Sequence, residues 1–447
     1  MTGKAKSACP GRLSCPRPKV IKLPRPRRGG PAVHRKSVLS NGLRVVTEEL
    51  PHFRSVSLGV WLGVGSRDET PAENGLTHFL EHMAFKGTPR RRAVDIAREI
   101  DQVGGSCNAF TTKEHTCFHG KVLAAQAPRL VDLLGDLALH PLCRADDLEK
   151  ERQVILEEIF SQDDNPEELV QVLFARNFWG GHAFGRPILG EAESISRVSR
   201  EDLLTYREAT YRPENSLVAA AGQVSHDELV KLIEPAFREF KNGRAWRGRE
   251  PAAAQPAAWA FPRDLEQVQV CLGTRGPAAD DSRRFAATML HILLGGNMSS
   301  RLFQVIREQL GLAYSIYSFI SFFSDTGFLG ISAGVSPQHL EALLAAVSQE
   351  LKRMKDEAVS AAELQSAREY LQGSIYLDAE DVDHLMMRLA KNELYFSRYF
   401  SMEDIVAGLM AVTPEEIQDL AQELLQPQNW GLALLGPVEG EIGGLDF

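Results

Sequence analysis

The order of strand-like and helix-like patterns in the first half of this 447-residue chain returns in the second half. Residues 41–48 (NGLRVVTE) and 55–63 (SVSLGVWLG) read as strands. A helix follows around 75–86, closed by Gly87 and Pro89. An amphipathic helix over 92–103 comes next, then two strands within 106–123, then helices over 126–138, 144–162 and 166–178. Strand 216–221 and helix 226–240 close this half. In the second half, strand 266–273 takes the place of 55–63, and helices 284–294 and 299–309 take those of 75–86 and 92–103. Strands 313–323 and 327–335 match the pair in 106–123, and helix 337–356 matches 126–138. Such a repeat restricts the chain to two similar α+β domains of about 200 residues, related by internal duplication. Each is expected to be a mostly antiparallel sheet packed with helices. Residues 241–262, rich in Ala, Pro, Gly and Arg without a period, read as the linker. The expected division is an arm over 1–36, a domain over 37–240, the linker, and a second domain over 263–447.

Composition narrows the class. Hydrophobic residues make up 44% and charged residues 24%, globular values that exclude a wholly disordered or fibrous chain. There is no run of about 18 apolar residues, so no membrane span is expected. The six cysteines contain no CxxC pair, which argues against a zinc ribbon, a thioredoxin-type site or a disulfide-stapled mini-protein. Residues 1–36 hold 11 of the 50 Lys and Arg and none of the 59 Asp and Glu, so the rest carries 39 basic against 59 acidic residues, a net of -20. An acidic body disfavours nucleic acid. The arm lacks the apolar core of a secretory signal. Its Arg richness fits a mitochondrial transit peptide, but six prolines oppose the amphipathic helix such a peptide needs. A solvated, disordered tail is the reading adopted, with RNA binding or organelle import as alternatives. The expected compartment is a bacterial cytoplasm, with the mitochondrial matrix second.

The chemistry concentrates in the helix around 75–86, GLTHFLEHMAFK. His78 and His82 are four apart, about 40° apart on a helix surface, so both imidazoles can reach one ion. Glu81 sits beside the pair. Two imidazoles and a carboxylate suit zinc, and the order HxxEH is the reverse of HExxH. A third ligand is needed. Residues 150–160 (KERQVILEEIF) form a helix on which Glu151 and Glu158 share a face, two turns apart. Glu158 can complete a His-His-Glu set, and Glu151 can orient a ligand or the bound water. A solvated helix face with two His and several Glu has the same pattern, so the motif alone leaves both readings open.

The phrase GLTHFLEHMAFKGT at 75–88 resembles the signature of the pitrilysin and mitochondrial-processing-peptidase family of inverted-motif zinc peptidases, in its short two-domain branch. Glu158 follows His82 by 76 residues, as the family's distal glutamate ligand does, and Glu151 matches the supporting glutamate seven earlier. The resemblance covers roughly residues 37–435. It implies one zinc per chain on His78, His82 and Glu158, with Glu81 as general base on water in the open position. It makes Asn108 and Ala109, in CNAFTTKEHT, candidate contacts of an edge strand that pairs with peptide. Arg307 and Tyr314, in IREQLGLAY, resemble the Arg/Tyr pair that completes the site from a separate domain: Tyr314 as donor to the oxyanion, Arg307 as holder of substrate. The expected activity is zinc-dependent endopeptidase, cutting extended peptides or precursor segments. The alternative is a non-catalytic scaffold or processing-complex subunit of the same family. The second half has His291 without a partner His or Glu, so that domain is expected to lack metal and to contribute substrate-binding residues. Two domains in one chain imply a dimer, homodimeric or with an inactive partner. His115 and His119, alternating on a strand with Cys117, read as strand residues rather than a second metal site. The acidic run Asp163–Glu168 reads as the start of a helix favoured by its dipole.

Overall fold

The computed structural model describes residues 33–241 and 248–438. The rest of the expected arm and of the linker, residues 1–32 and 242–247, lies outside the described residues, as does 439–447.

The first half builds a six-stranded sheet from β1 (Val33–Val38), β2 (Arg44–Glu49), β3 (Ser55–Leu62), β4 (Ser106–Thr111), β5 (Thr116–Leu123) and β6 (Ser216–Gly222). Their spatial order is β1-β2-β6-β3-β5-β4. The second half builds a five-stranded sheet from β7 (Ala258–Pro262), β8 (Val268–Gly276), β9 (Ala313–Phe322), β10 (Gly327–Val335) and β11 (Gly431–Gly436), in the order β7-β11-β8-β10-β9. Dropping β1, the two orders superimpose strand for strand. Even the parallel pairs correspond, β2 with β6 and β7 with β11; the other described pairs are antiparallel. The molecule is α+β, with two similar halves.

Two boundaries differ from expectation. Val33–Lys36, counted with the basic arm, belong to β1. This strand lies at the sheet margin with mostly exposed side chains, so it has no apolar alternation to betray it. Charge anchors it: Arg35 pairs with Asp227 at 2.7 Å and Lys36 with Glu393 at 2.7 Å. Likewise the last five residues of the expected linker are β7, an edge strand of alternating exposed and half-buried residues. Beyond residue 356, outside the repeat read from the sequence, the chain adds helices Ala361–Asp378, Val382–Lys391, Met402–Ala411 and Pro414–Leu424 before returning to the sheet as β11, between β7 and β8.

Each half lends a helix to the other. Pro166–Phe178, from the first half, packs on β8 and β11, burying Val170, Phe174 and Phe178 against Cys271, Ala433 and Leu435. Val382–Lys391, from the second half, packs on β2, β3 and β6, burying Leu385, Met386, Leu389 and Ala390 against Val46, Trp61, Leu217 and Ala219. The close approach needs a glycine on each sheet. A Cβ at Gly59 of β3 would stand 2.8 Å from Met386 Sδ, and one at Gly273 of β8 would stand 3.0 Å from the Phe174 ring.

A buried ionic cluster joins the halves at one end. Arg67 donates to Glu114 Oε1 at 2.6 Å, to both Asp325 oxygens at 2.7 and 2.6 Å, and to the Glu250 carbonyl at 2.8 Å. Arg249 donates to Asp68 at 2.8 Å and to the Glu114 carbonyl at 2.9 Å. The β9–β10 turn is thereby fixed against the β4–β5 turn. Among the described residues no helix is long and apolar enough to cross a membrane.

Candidate metal centre and cleft

Helix Leu76–Ala84 begins on a glycine because the chain must turn sharply there: Gly75 has φ 96°. Its first free N–H groups find a carboxylate a few residues upstream. Glu69 accepts from Gly75 N at 2.9 Å, Thr77 N at 2.8 Å and Asn74 Nδ2 at 3.1 Å. Burial raises the Glu69 carboxyl to about 7 against the pull of these donors. The helix buries Leu76, Phe79, Leu80 and Met83, which turns the 78–82 face toward helix Ala145–Asp164.

There the expected ligands meet. His78 Nε2 lies 3.8 Å and His82 Nε2 3.6 Å from Glu158 Oε2. Among the described residues, His78, His82 and Glu158 form the one group of three whose ligand atoms all lie within 4.8 Å of one another. These separations are near the ligand–ligand edge of about 3.3 Å in a tetrahedron with bonds of ~2.0–2.1 Å. Burial, then the neighbouring His82, lowers the His78 pKa to about 3, so its imidazole is neutral and offers a lone pair. Two imidazole nitrogens and a carboxylate oxygen converge without hydrogen bonding to one another, a set that a cation satisfies. His82 Nδ1 faces Glu151 Oε2 at 3.2 Å, which fixes the ring's orientation. His78 Nδ1 is buried with no hydrogen-bond partner.

Glu81 projects beside this group. Thr111 Oγ1, at the end of β4, donates to Glu81 Oε2 at 2.5 Å. Burial raises the Glu81 pKa, partly offset by that hydrogen bond. His78, Glu81, Ala109, Thr111, Lys113 and Gln171 border a cleft of about 520 Å3. Burial lowers the Lys113 ammonium to about 8, and it donates to the Arg186 carbonyl.

The other expected residues fall in two groups. Asn108 and Ala109 are on β4, the last strand of its sheet, with a free edge. Ala109 lines the cleft; Asn108 does not, and its Oδ1 accepts the Ala109 N–H at 2.9 Å. Arg307 and Tyr314 make no hydrogen bond, ion pair or ring contact to a cleft residue among those described. The expected helix over 299–309 is wound as a π-helix over Phe303–Gln309. Arg307 lies on it, its guanidinium 4.8 Å over the Tyr314 ring, and Tyr314 is 81% exposed. Neither residue of the pair is among those that line the cleft.

Glu69, Thr111 and Lys113 were not singled out in the sequence. Thr111 and Lys113 act through contacts between distant elements, and Glu69 through a turn, none of which a helix or strand period encodes. Of the acidic run, Glu168 borders the cleft, beyond its place in the first turn of a helix. His119 packs edge-on against Phe110 as a residue of β5, whereas His115, expected on the same strand, lies in the β4–β5 turn just before it and packs edge-on against Tyr395 and Trp61. In the second half His291 bonds to Ser318 Oγ at 2.8 Å, in keeping with a boundary residue.

Residues 44–192 match the family model described as insulinase (peptidase family M16), and residues 197–371 match the one described as peptidase M16 inactive domain. A Mycobacterium tuberculosis protein named as an uncharacterized zinc protease is 43% identical over 412 residues, 90% of this chain and 93% of that protein. A Bacillus subtilis protein of similar name is 37% identical over 397 residues, 89% of this chain and 97% of its own. The crystal structure of a protease from Helicobacter pylori superimposes with a TM-score of 0.86 at 22% identity, over 91% of this chain and all of that one, a likeness of fold.

Proposed function

Given that the chain belongs to the M16 peptidase family, in its short two-domain form, we propose that it is a zinc-dependent endopeptidase acting on extended peptides or unfolded precursor segments. The observation that carries this reading is the meeting of His78, His82 and Glu158 beside Glu81, in a cleft bordered by a free strand edge. Zinc held there by His78, His82 and Glu158, one per chain, would supply Lewis acidity toward the attacking water and the scissile carbonyl.

The chain's own groups do the rest. Glu81, held by Thr111, takes the proton of the attacking water and passes it to the leaving amine. Substrate lies along β4 as an added strand, reading backbone with little demand on sequence. The Asn108 amide, which occupies the Ala109 N–H, gives way to a substrate carbonyl. Tyr314 donates to the developing oxyanion and Arg307 holds the substrate, both from a second copy of the chain, because their own copy keeps them outside the cleft. The functional unit is thus a homodimer, and its setting a bacterial cytoplasm, a reading supported by the bacterial source of its relatives.

The test compares wild type with Glu81→Gln for zinc content and cleavage of a quenched peptide. The variant is expected to keep its zinc and to lose about 10²–10⁴-fold in rate. Equal rates, or a wild type that takes up no zinc, would overturn the reading in favour of a scaffold subunit.

A further inference from the structure

The cleft continues past Glu81. Phe110, Thr111 and Gln171 also border a larger cavity of about 870 Å3. Its walls come from both halves: the turn after β4, helix Pro166–Phe178, the end of β9, and helix Val382–Lys391 with the turn beyond it. Aromatic rings dominate them, among them Trp61, Phe174, Phe319, Phe328 and Phe396.

The ionisable groups on these walls are unbalanced. The acidic one, Glu114, is saturated, accepting Arg67 at 2.6 Å and the Ser324 hydroxyl and N–H at 2.7 and 3.0 Å. His115 is neutral, its pKa lowered to about 4 by burial. Lys113 is engaged by a carbonyl. Two cations are left. Arg284 stacks 5.0 Å over Phe396 and 4.4 Å over Phe285, and donates to the Asp281 carbonyl at 3.3 Å; among the described residues no carboxylate bonds to it, Asp280 and Asp281 acting on it only through space. Lys391 makes no hydrogen bond or ion pair among the described residues. On its far side it borders a pocket whose Asp378 faces His384 at 3.4 Å. Lys391 keeps accessible surface where it lines this cavity and the neighbouring pocket, and the protein packed around it lowers its pKa by desolvation. Unpaired cations in a desolvated aromatic wall destabilise the empty protein and are relieved by an anion. This stands out in a body of net charge -20.

We propose that this cavity binds a carboxylate carried on an apolar stretch of peptide. Lys391, with Arg284, meets the charge, and the aromatic walls take the neighbouring side chains. The carboxylate is either the free carboxy terminus or an Asp or Glu side chain, a few residues from the bond that is cut. The proposal rests on the peptidase reading, since it is the shared cleft that brings peptide to the cavity.

The experiment uses full-length Glu81→Gln and three labelled apolar peptides: one ending in a free carboxylate, its amide, and the amide with one internal Asp. Fluorescence anisotropy is expected to show at least one acidic peptide binding about tenfold tighter than the neutral amide, the size of one charge-assisted contact. Which of the two gains identifies the source of the carboxylate. Lys391→Met removes the advantage, Lys391→Arg keeps most of it, and Arg284→Gln reduces it; thermal melts check that each variant is folded. Equal binding of all three peptides, or an advantage untouched by both Lys391→Met and Arg284→Gln, overturns the proposal. So does the absence of any binding. Wild-type cleavage of the neutral amide is followed in parallel, so that the peptidase reading stands or falls separately from the cavity.

Discussion

Glu151 serves two partners at once, His82 Nδ1 at 3.2 Å and Lys86 Nζ at 2.5 Å. The lysine holds the carboxylate, and the carboxylate holds the imidazole. Glu151→Gln is therefore expected to weaken zinc about 10- to 100-fold, measured by competition with a chelator, while the three ligands remain. His291 gives a prediction of another kind. Burial lowers its pKa to about 4. The unfolded chain takes up this proton at its ordinary value near 6.5 and the folded chain does not. The stability it contributes is complete above that ordinary value and is lost as pH falls toward the folded one. Between about pH 6.5 and 4.5, thermal melts of His291→Gln should fall less steeply than those of wild type. At this scale the site was legible wherever its residues share a helix. His78, Glu81 and His82 lie on one turn, and Glu151 and Glu158 on one face. Thr111 was not legible, because Glu81, which it holds, belongs to another segment, and Glu69 was not, because it caps the helix from before an intervening turn rather than from the position next to its start.

Among elements, the β4–β5 and β9–β10 turns meet through the Arg67–Glu114–Asp325 cluster. Arg67 and Glu114 side chains are each 1% exposed. Breaking a buried pair by removing one partner costs about 3–5 kcal/mol, so Glu114→Ala should lower the melting temperature by several degrees. An unchanged melt would mean that the cluster fills space without holding the halves together. Elements were legible where the apolar pattern is strong, as in β3, rich in β-formers, or the amphipathic helix Ala93–Val103. β1 and β7 escaped notice because edge strands with exposed, charged or alternating surfaces look like linker. The helix Phe303–Gln309 shows the opposite failure: its helical pattern was readable, but not its π-helical winding, which the sequence does not distinguish from an ordinary turn.

For the whole molecule, the outward placement of Arg307 and Tyr314 makes assembly a question of catalysis. If the pair acts on a partner's cleft, Glu81→Gln and Tyr314→Phe, each impaired alone, should complement when mixed. Random pairing leaves about a quarter of the sites with both groups intact, and the activity recovered should approach that share. No recovery, with mixed dimers confirmed by mass, would place the pair elsewhere. The internal duplication was legible as a repeated order of elements, but the exchange of helices between halves was not, since it depends on which sheet each helix finds. That exchange bears on how the protein is made. The sheet face formed by Val46, Trp61, Leu217 and Ala219 is covered by Leu385, Met386 and Leu389, and synthesis runs from the N terminus. While the second half is still being translated, the first half stands outside the ribosome with an oily surface bare, and its folding is complete only when nearly the entire polypeptide has emerged.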